Sequence, residues 1–186
     1  MIQINRFTVL HTILAIALWC VASACYARFE INNQNASVAF SGEHAGMTFS
    51  GKFEQWTGSI ILPNANDSGS IETTFDLSSA KTGDFVYDET LPEADWFDVE
   101  NHPTGSFVSR SVTAAADGFS VSGELTLRGM SKPVKFTLKK DGGRLKATLP
   151  IKRLDYNIGY DSDPQAEWVS EDILLKIDVP APPNSN

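Results

Sequence analysis

Apolar and polar residues alternate with a period of two along much of this 186-residue chain, and this pattern constrains its fold most. Between residues 119 and 127, Phe119, Val121, Leu125 and Leu127 hold the odd positions and polar residues hold the even ones. The same period recurs over residues 134–139, 145–152 and 173–179. Such alternation places apolar side chains on one sheet face and polar ones on the other. It predicts half-buried strands of an antiparallel sheet.

Short turns separate these segments. Asp117-Gly118 and Asp141-Gly142-Gly143 carry the glycines that tight hairpins need. Further strand-like segments lie at residues 37–41, 47–53, 59–62, 71–76 and 107–112. About eight strands at this spacing predict an all-β fold, an eight-stranded antiparallel up-and-down barrel.

Residues 78–103 do not alternate, and they mix acidic with aromatic side chains. We expect a long crossover with one or two short helices, most favoured over residues 92–99, where Pro92 suits a first helical turn. A connection of this length over a barrel is a candidate lid. A plain plug that closes one end of the core is an equal alternative.

The first 27 residues have the order of a secretory signal peptide: one basic residue, an apolar run and a stretch of small residues. Cleavage is expected after Ala27, with Ala24 as the alternative; the residues before Cys25 faintly resemble a lipoprotein box, which leaves a lipid-anchored product open. We therefore expect a signal peptide over 1–27, one barrel domain over 28–179, and a disordered proline-rich tail over 180–186.

Removal of this segment excludes several classes of function. Both cysteines, Cys20 and Cys25, leave with it, so the remaining chain has no disulfide or thiolate chemistry. Arg6 is the only charged residue lost, which leaves 14 basic against 23 acidic residues and a net charge of −9. That sign disfavours binding to nucleic acid and to anionic bilayers.

The sequence contains few residues in patterns typical of a catalytic or metal site. His44 and His102 have no companion at metal-ligand spacing, and no nucleophile elbow or glycine-rich phosphate loop is present. His44 is a rim histidine or a ligand contact. Pairs such as Asp95 with Asp98, or Asp84 with Asp88, leave an acid/base enzyme open, although loop carboxylates are mostly solvated. We predict no catalytic residue and no metal site.

The barrel interior is the remaining candidate. Residues 28–186 contain ten Phe and three Trp, enough apolar surface to line a cavity as well as a core. An eight-stranded barrel is either just filled by side chains or holds one slender ligand. Composition alone leaves both readings open.

Four blocks of sequence, taken in order, resemble the YceI-like family. They are Thr82-Gly83-Asp84 continuing through residues 95–100 to Pro103 and Phe107; the strand and Arg-Gly turn over 123–134; the Arg-x-Asp block that begins at Arg153; and the strand pair over 37–53 with its central His44. The resemblance covers nearly the whole chain after residue 27.

This resemblance implies an extended, lipocalin-like barrel in a bacterial periplasm that holds a polyisoprenoid or an isoprenoid quinone. It brings no cofactor beyond that bound lipid. It also implies a possible membrane b-type cytochrome as partner. The alternative is a non-catalytic stress or accessory protein with a filled barrel that docks to such a cytochrome, and a homodimer is possible.

One block departs from the family pattern. Where many members have Arg-Asp-x-His-Leu, this chain has Tyr87-Asp88-Glu89-Thr90-Leu91. Loss of the Arg and the His disfavours a pyrophosphate head group and favours a neutral one, such as a quinone or a fatty amide.

The expected ligand-binding residues are the inward strand positions of such a barrel, the central histidine, and an aromatic pair that would act as a gate. Each inward strand position is also an ordinary core position, and for any single residue the core reading is preferred. They are Val38, Phe40, His44, Phe49, Phe75, Trp96, Phe97, Phe107, Leu125, Leu127 and Phe136.

Overall fold

The computed structural model describes residues 28–63 and 68–181. The expected signal peptide and residues 182–186 of the expected tail lie outside these ranges. Eleven strands are present: β1 (Phe29–Asn32), β2 (Ser37–His44), β3 (Met47–Phe53), β4 (Trp56–Ile61), β5 (Ser70–Asp76), β6 (Ala80–Lys81), β7 (Thr104–Ala115), β8 (Gly118–Leu127), β9 (Met130–Asp141), β10 (Arg144–Lys152) and β11 (Asp172–Pro180).

All eleven strands form one antiparallel sheet, in the order β1-β4-β5-β7-β8-β9-β10-β11-β2-β3-β6. The all-β antiparallel prediction is confirmed, but the count of eight strands is wrong. Nine of the eleven strands correspond to the segments named from the sequence, and the two without a counterpart are β1, of four residues, and β6, of two. Segments this short carry too few positions to display a period.

The sheet is strongly curled, and its two ends meet at one corner. Only Glu54 and Gln55 separate β3, near one end of the strand order, from β4, near the other. The Glu54 amide donates to the Ser79 carbonyl (3.0 Å), and the Asp76 amide donates to the Gln55 carbonyl (3.0 Å). Within the described residues the edge strands β1 and β6 form no ladder with each other. The chain itself joins the two ends of the sheet.

The predicted alternation matches the burial of the strands. In β8 and β10, every second side chain is buried and its neighbours face outward. The inward side chains form a single apolar cluster inside the curled sheet. Phe53 links opposite walls of this cluster: its ring centroid lies 5.6 Å from the Phe40 ring and 5.3 Å from the Phe75 ring. The curled sheet therefore encloses the core.

The crossover begins with a 3-10 turn at Leu77–Ser79 and contains one short α-helix, which does not lie where a helix was expected. Helix α1 spans Phe85–Thr90, and residues 92–99 form successive turns instead. Asp84 begins the helix, since its side chain accepts from the amides of Val86 (2.9 Å) and Tyr87 (3.3 Å). Pro92 follows the end of the helix, in the role that proline takes after a helix C-terminus. The expected helix over 92–99, and with it a long helical lid, is not present.

Candidate functional site

A cavity of about 170 Å³ opens at one end of the curled sheet, and we call it the mouth cavity. Strands β2 and β3, the crossover and the loop before β11 all contribute to its walls, which are almost entirely apolar. The lining residues are His44, Phe49, Thr82, Val86, Tyr87, Thr90, Leu91, Trp96 and Val169.

His44 and Tyr87 are the two polar aromatic side chains of the mouth cavity, and they bind each other. His44 Nδ1 lies 2.7 Å from the Tyr87 hydroxyl, and the two rings meet edge to face at 5.5 Å. His44 is the last residue of β2, held next to the hairpin turn Ala45-Gly46, where both residues have positive φ. Helix α1 brings Tyr87 over it, so this hydrogen bond ties the crossover to the sheet.

Two smaller apolar cavities continue inward from the mouth cavity. The middle cavity, of about 80 Å³, shares Phe49, Leu91, Trp96 and Val169 with it. The deep cavity has a volume of about 60 Å³. The lining residues that it has in common with the middle cavity are Val38, Phe75, Leu125 and Leu175. The deep cavity has no lining residue in common with the mouth cavity. The three therefore form one row from the mouth to the far side of the core.

Glycine creates space at the junction of the mouth and middle cavities. Gly42 lies in β2 between Phe40 and His44 on the inward face. A Cβ there would lie 2.7 Å from Ile173 Cδ1 and 2.9 Å from Phe49 Cζ. The missing side chain lets the Phe49 ring pack across the row of cavities.

All eleven residues that the sequence suggested as ligand contacts line these cavities, although their role as ligand contacts stays a prediction. His44 lies at the mouth, and Phe49 and Trp96 lie between mouth and middle cavities. Phe97 is buried in the middle cavity, away from the entrance where a gate would stand. Val38, Phe40, Phe75, Leu125 and Leu127 line the middle cavity, and Val38, Phe75, Phe107, Leu125 and Phe136 line the deep one.

A buried ion pair shapes the loop that closes the mouth on the side of Val169. The Arg153 guanidinium lies 2.7 Å from Asp163 Oδ2, with both side chains almost fully buried. It also donates to the carbonyls of Ser170, Ile158, Gly159 and Val169 at 2.8–3.2 Å. Asp163 in turn accepts from the amides of residues 167, 168 and 169. These contacts fix the loop over residues 157–170.

Asp95 joins this loop to the crossover. Its carboxylate accepts from the amides of Asp161 (2.9 Å) and Ser162 (3.0 Å) and from the Ser162 hydroxyl (2.6 Å). Partial burial acts to raise the pKa of Asp95, but these hydrogen bonds and the Arg128 charge outweigh it and hold the pKa below 3.8. Arg128 adds a second link by donating to the carbonyls of Asn157 and Ala94.

Comparison with known proteins assigns the family of this chain. The model of the YceI-like domain matches residues 29–181. The chain belongs to the YceI-like family. Comparison with curated protein sequences finds no match.

Solved structures share the YceI-like fold with this chain. BcnA of Burkholderia cenocepacia is 26% identical, with a TM-score of 0.69, over 77% of this chain and 94% of its own. The YceI protein of Campylobacter jejuni is 24% identical, with a TM-score of 0.58, over 70% and 82%. A polyisoprenoid binding domain from Saccharophagus degradans, described as implicated in plant cell wall breakdown, is 17% identical, with a TM-score of 0.61, over 84% and 99%.

The four carboxylates considered for acid/base chemistry in this YceI-like domain have hydrogen-bond partners, and none of them lines a cavity. Asp84 caps α1, and Asp88 accepts from the amide (2.6 Å) and hydroxyl (2.8 Å) of Thr82, which lowers its pKa. Asp98 accepts from the Asn101 side chain (2.8 Å) and lies 3.8 Å from His102 Nε2. Their hydrogen bonds hold the crossover and the loop before β11 in place.

Sequence reasoning missed part of the mouth cavity. Thr82, Val86, Tyr87 and Thr90 come from a crossover without periodicity, so no pattern marked which of them face inward. Arg153 belonged to a recognised sequence block, but its burial depends on the fold of the following loop. Within the described ranges, no group of three or more His, Cys, Asp or Glu is placed to hold a metal, and no helix has the length and hydropathy to span a bilayer.

Proposed function

We propose that this protein binds and carries a long-chain isoprenoid lipid, a polyprenyl species or an isoprenoid quinone, inside the curled sheet. The observation that carries this proposal is the row of three apolar cavities that begins at His44 and Tyr87 and runs through the core. A slender, flexible chain matches such a row better than a compact ligand does. The description of the Saccharophagus domain as polyisoprenoid-binding supports the same class.

Burial of the chain supplies the affinity. Each CH₂ group removed from water contributes about 0.8 kcal/mol, so a few isoprene units offset the entropy lost on binding. The middle and deep cavities are lined almost wholly by aliphatic and aromatic side chains. The length of the row then sets the preference for chain length.

Charge around the mouth favours a neutral lipid. The three segments that surround it, residues 42–49, 82–96 and 159–170, hold nine carboxylates and no Lys or Arg. Arg153 lines the middle cavity, but the protein's own carbonyls and Asp163 occupy its donors. A phosphate or pyrophosphate head at the mouth would therefore face an excess of carboxylates, and Lys81, which precedes Thr82, already interacts with Asp88.

We further propose that the protein is a binding protein rather than an enzyme, and that it acts in the periplasm. The partners of Asp84, Asp88, Asp95 and Asp98 account for these carboxylates without catalysis. Export rests on the signal-peptide pattern of residues 1–27.

One observation favours a second candidate, an accessory protein that docks to a membrane b-type cytochrome. Five of the seven exposed large apolar side chains of the described residues belong to the segments around the mouth: Met47, Phe85, Val86, Tyr160 and Trp168. Exposed aromatic clusters of this kind mark interaction sites. This candidate needs no cargo, so an analysis of bound lipid separates the two.

The deciding measurement is mass spectrometry of the organic extract from protein purified from its native compartment. We expect a stoichiometric prenyl lipid, absent from a delipidated sample and restored when prenyl lipid is added. A clean extract together with no uptake would contradict the carrier and favour the accessory protein.

A cavity-blocking variant tests the location of the lipid. Val38 lines both the middle and deep cavities, so Val38→Phe should obstruct the row and shift the bound lipid to shorter chains. Val108→Phe is the matched control, because Val108 lies on β7 and is half exposed on the outer wall. An unchanged lipid profile in folded Val38→Phe protein would argue against the interior as the binding site.

A further inference from the structure

Strands β9 and β10 pair with each other over only part of their length. Within the described residues their ladder consists of three pairs next to the hairpin turn, and it ends at Lys139–Lys146. On its other side β9 pairs with β8 from residue 130 to residue 139, and β10 pairs with β11 over its whole length. We call the unpaired stretch between residues 130–138 and residues 147–152 the seam.

The sequence opposes closure of this seam. Asp141 and Arg144 pair across a two-glycine turn, and such a closing pair exchanges hydrogen bonds. The odd-numbered residues of β9 and the even-numbered residues of β10 therefore turn their backbone groups toward the seam. Pro133 and Pro150 occupy such positions, one on each strand, and neither has an N–H to donate. Both strands thus have the character of sheet edges, and neither offers a full row of donors to the other or to an added peptide strand.

An inward-facing cation has the same effect. Lys132 lies on the inward face of β9, between Met130 and Val134, and it is partly exposed. No hydrogen bond or ion pair holds its ammonium group within the described ranges. Closure of the seam would bury this charge without a partner, which is costly. Prolines and inward charges keep edge strands from pairing, so the seam is a stable feature of the fold.

The seam leaves the inward face of β9 accessible. Every second residue of β8 and of β10 is buried, whereas the inward side chains of β9 from residue 130 to residue 136 are only partly buried. Met130, Val134 and Phe136 nevertheless pack against the apolar core. An apolar strip that solvent can reach therefore lies along the seam.

The seam also lies beside the row of cavities. Phe136 of β9 and Leu149 of β10, one from each side of the seam, both line the deep cavity. Ile151, two residues further along β10, lines the middle cavity. Along the seam, side chains rather than a hydrogen-bonded ladder separate these cavities from solvent.

We propose that the seam is a lateral entry and exit site for the isoprenoid chain, which passes sideways between β9 and β10. This inference rests on the proposed function and adds the route of the cargo. Sideways passage requires side chains such as Val134 and Phe136 to move, and rotamer changes are fast compared with collective motions of the backbone. End-on passage would instead draw the whole chain through the middle and deep cavities, of about 80 and 60 Å³.

The test staples the seam. Residues 28–186 contain no cysteine, so Lys135→Cys with Pro150→Cys introduces a single reactive pair, one on each side of the seam, which a short bis-maleimide joins. The probe is a naphthoquinone with a geranylgeranyl side chain. It quenches tryptophan fluorescence, and Trp96 and Trp56 line the middle and deep cavities. Stapling should slow uptake and release by the same factor, about tenfold, and leave Kd unchanged, because a higher barrier slows both directions alike.

Two controls isolate the seam. The same double variant before cross-linking should keep the wild-type rates, which separates the staple from the substitutions. Lys139→Cys with Lys146→Cys, stapled by the same reagent, joins two residues that already pair, so its rates should also stay at the wild-type values.

A second pair repeats the test if the first staple disturbs the fold, as judged by circular dichroism. Thr137→Cys with Thr148→Cys occupies the next positions beyond the last pair of the ladder. Wild-type rates in a folded, stapled seam would overturn the lateral route and leave the carrier intact, with the mouth as its entrance. Absence of equilibrium binding to the wild type would overturn both proposals.

Discussion

At the scale of single residues, Arg153 is the side chain whose loss should lower the free energy of unfolding most. The Arg153 and Asp163 side chains are 2% and 7% exposed, and backbone hydrogen bonds hold both in addition to their ion pair. Arg153→Met would leave Asp163 as an uncompensated buried charge. We expect a loss of about 3–5 kcal/mol in the free energy of unfolding, measured by urea denaturation.

The neighbouring residue provides a matched control. Lys152 lies 3.0 Å from Glu171, but both side chains are about half exposed. Exposed pairs of this kind contribute at most about 1 kcal/mol, so Lys152→Met should change stability little. Equal effects of the two substitutions would mean that the buried pair does not organise the mouth loop.

Asp95 should make stability depend on pH. Its folded-state pKa lies below 3.8, so as the pH falls the unfolded state takes up the proton first. The stabilisation is present above pH 3.8 and is lost as the pH falls through the folded-state pKa. Asp95→Asn removes this titration, and its urea midpoint should fall less than that of the wild type between pH 5 and pH 3. Parallel curves for the two proteins would contradict this assignment.

At the scale of elements, α1 is the part of the mouth most dependent on one contact. A helix of six residues is marginal on its own, and Asp84 supplies its N-cap. Asp84→Ala should cost about 1 kcal/mol locally. The amides of Asp88 and Leu91, which close the helix, should then exchange hydrogen about fivefold faster.

Asp84→Asn separates the cap from the charge. An asparagine oxygen accepts from the same amides, so this variant should retain nearly wild-type exchange. Fast exchange in Asp84→Asn would show that the charge, rather than the cap, holds α1 in place.

The same helix shows where sequence reasoning reached its limit. Pro92 was interpreted as a helix start, whereas Asp84 starts the helix and Pro92 follows its end. Aspartate is favoured just before a helix, and proline occurs both in the first turn of a helix and just after its end. Without periodicity in the segment, the sequence does not indicate which of these places Pro92 takes. The long strands were predictable because each buries one whole face, and β6 was not, because its two residues are placed only by pairing with β3.

At the scale of the whole molecule, the interior could be predicted from the sequence, but only part of the mouth could. Val38, Leu125 and Phe136 were predictable by parity, since the alternation of a strand fixes which side chains enter the core. Tyr87 meets His44 only because the crossover folds back across the hairpin. The seam depends on where β9 and β10 diverge in three dimensions, which alternation does not encode.

Cargo should stabilise the whole fold, because a chain bound along the core contacts walls from both ends of the sheet. A ligand present at a hundred times its Kd adds about 2.7 kcal/mol to the free energy of unfolding. For a domain of this size the corresponding rise in Tm is about 5–10 °C. We expect the delipidated protein to melt lower than the reloaded one by this amount in differential scanning calorimetry.

The blocked variant Val38→Phe separates this effect from nonspecific lipid adsorption. Its Phe ring would obstruct the junction between the middle and deep cavities, so added prenyl lipid should raise its Tm less than that of the wild type, whereas Val108→Phe should show the full rise. An equal rise in both variants would mean that lipid stabilises the protein from outside. A larger rise in Val108→Phe would mean that the stabilising chain lies in the row of cavities, where burial of its CH₂ groups is the source of the added stability.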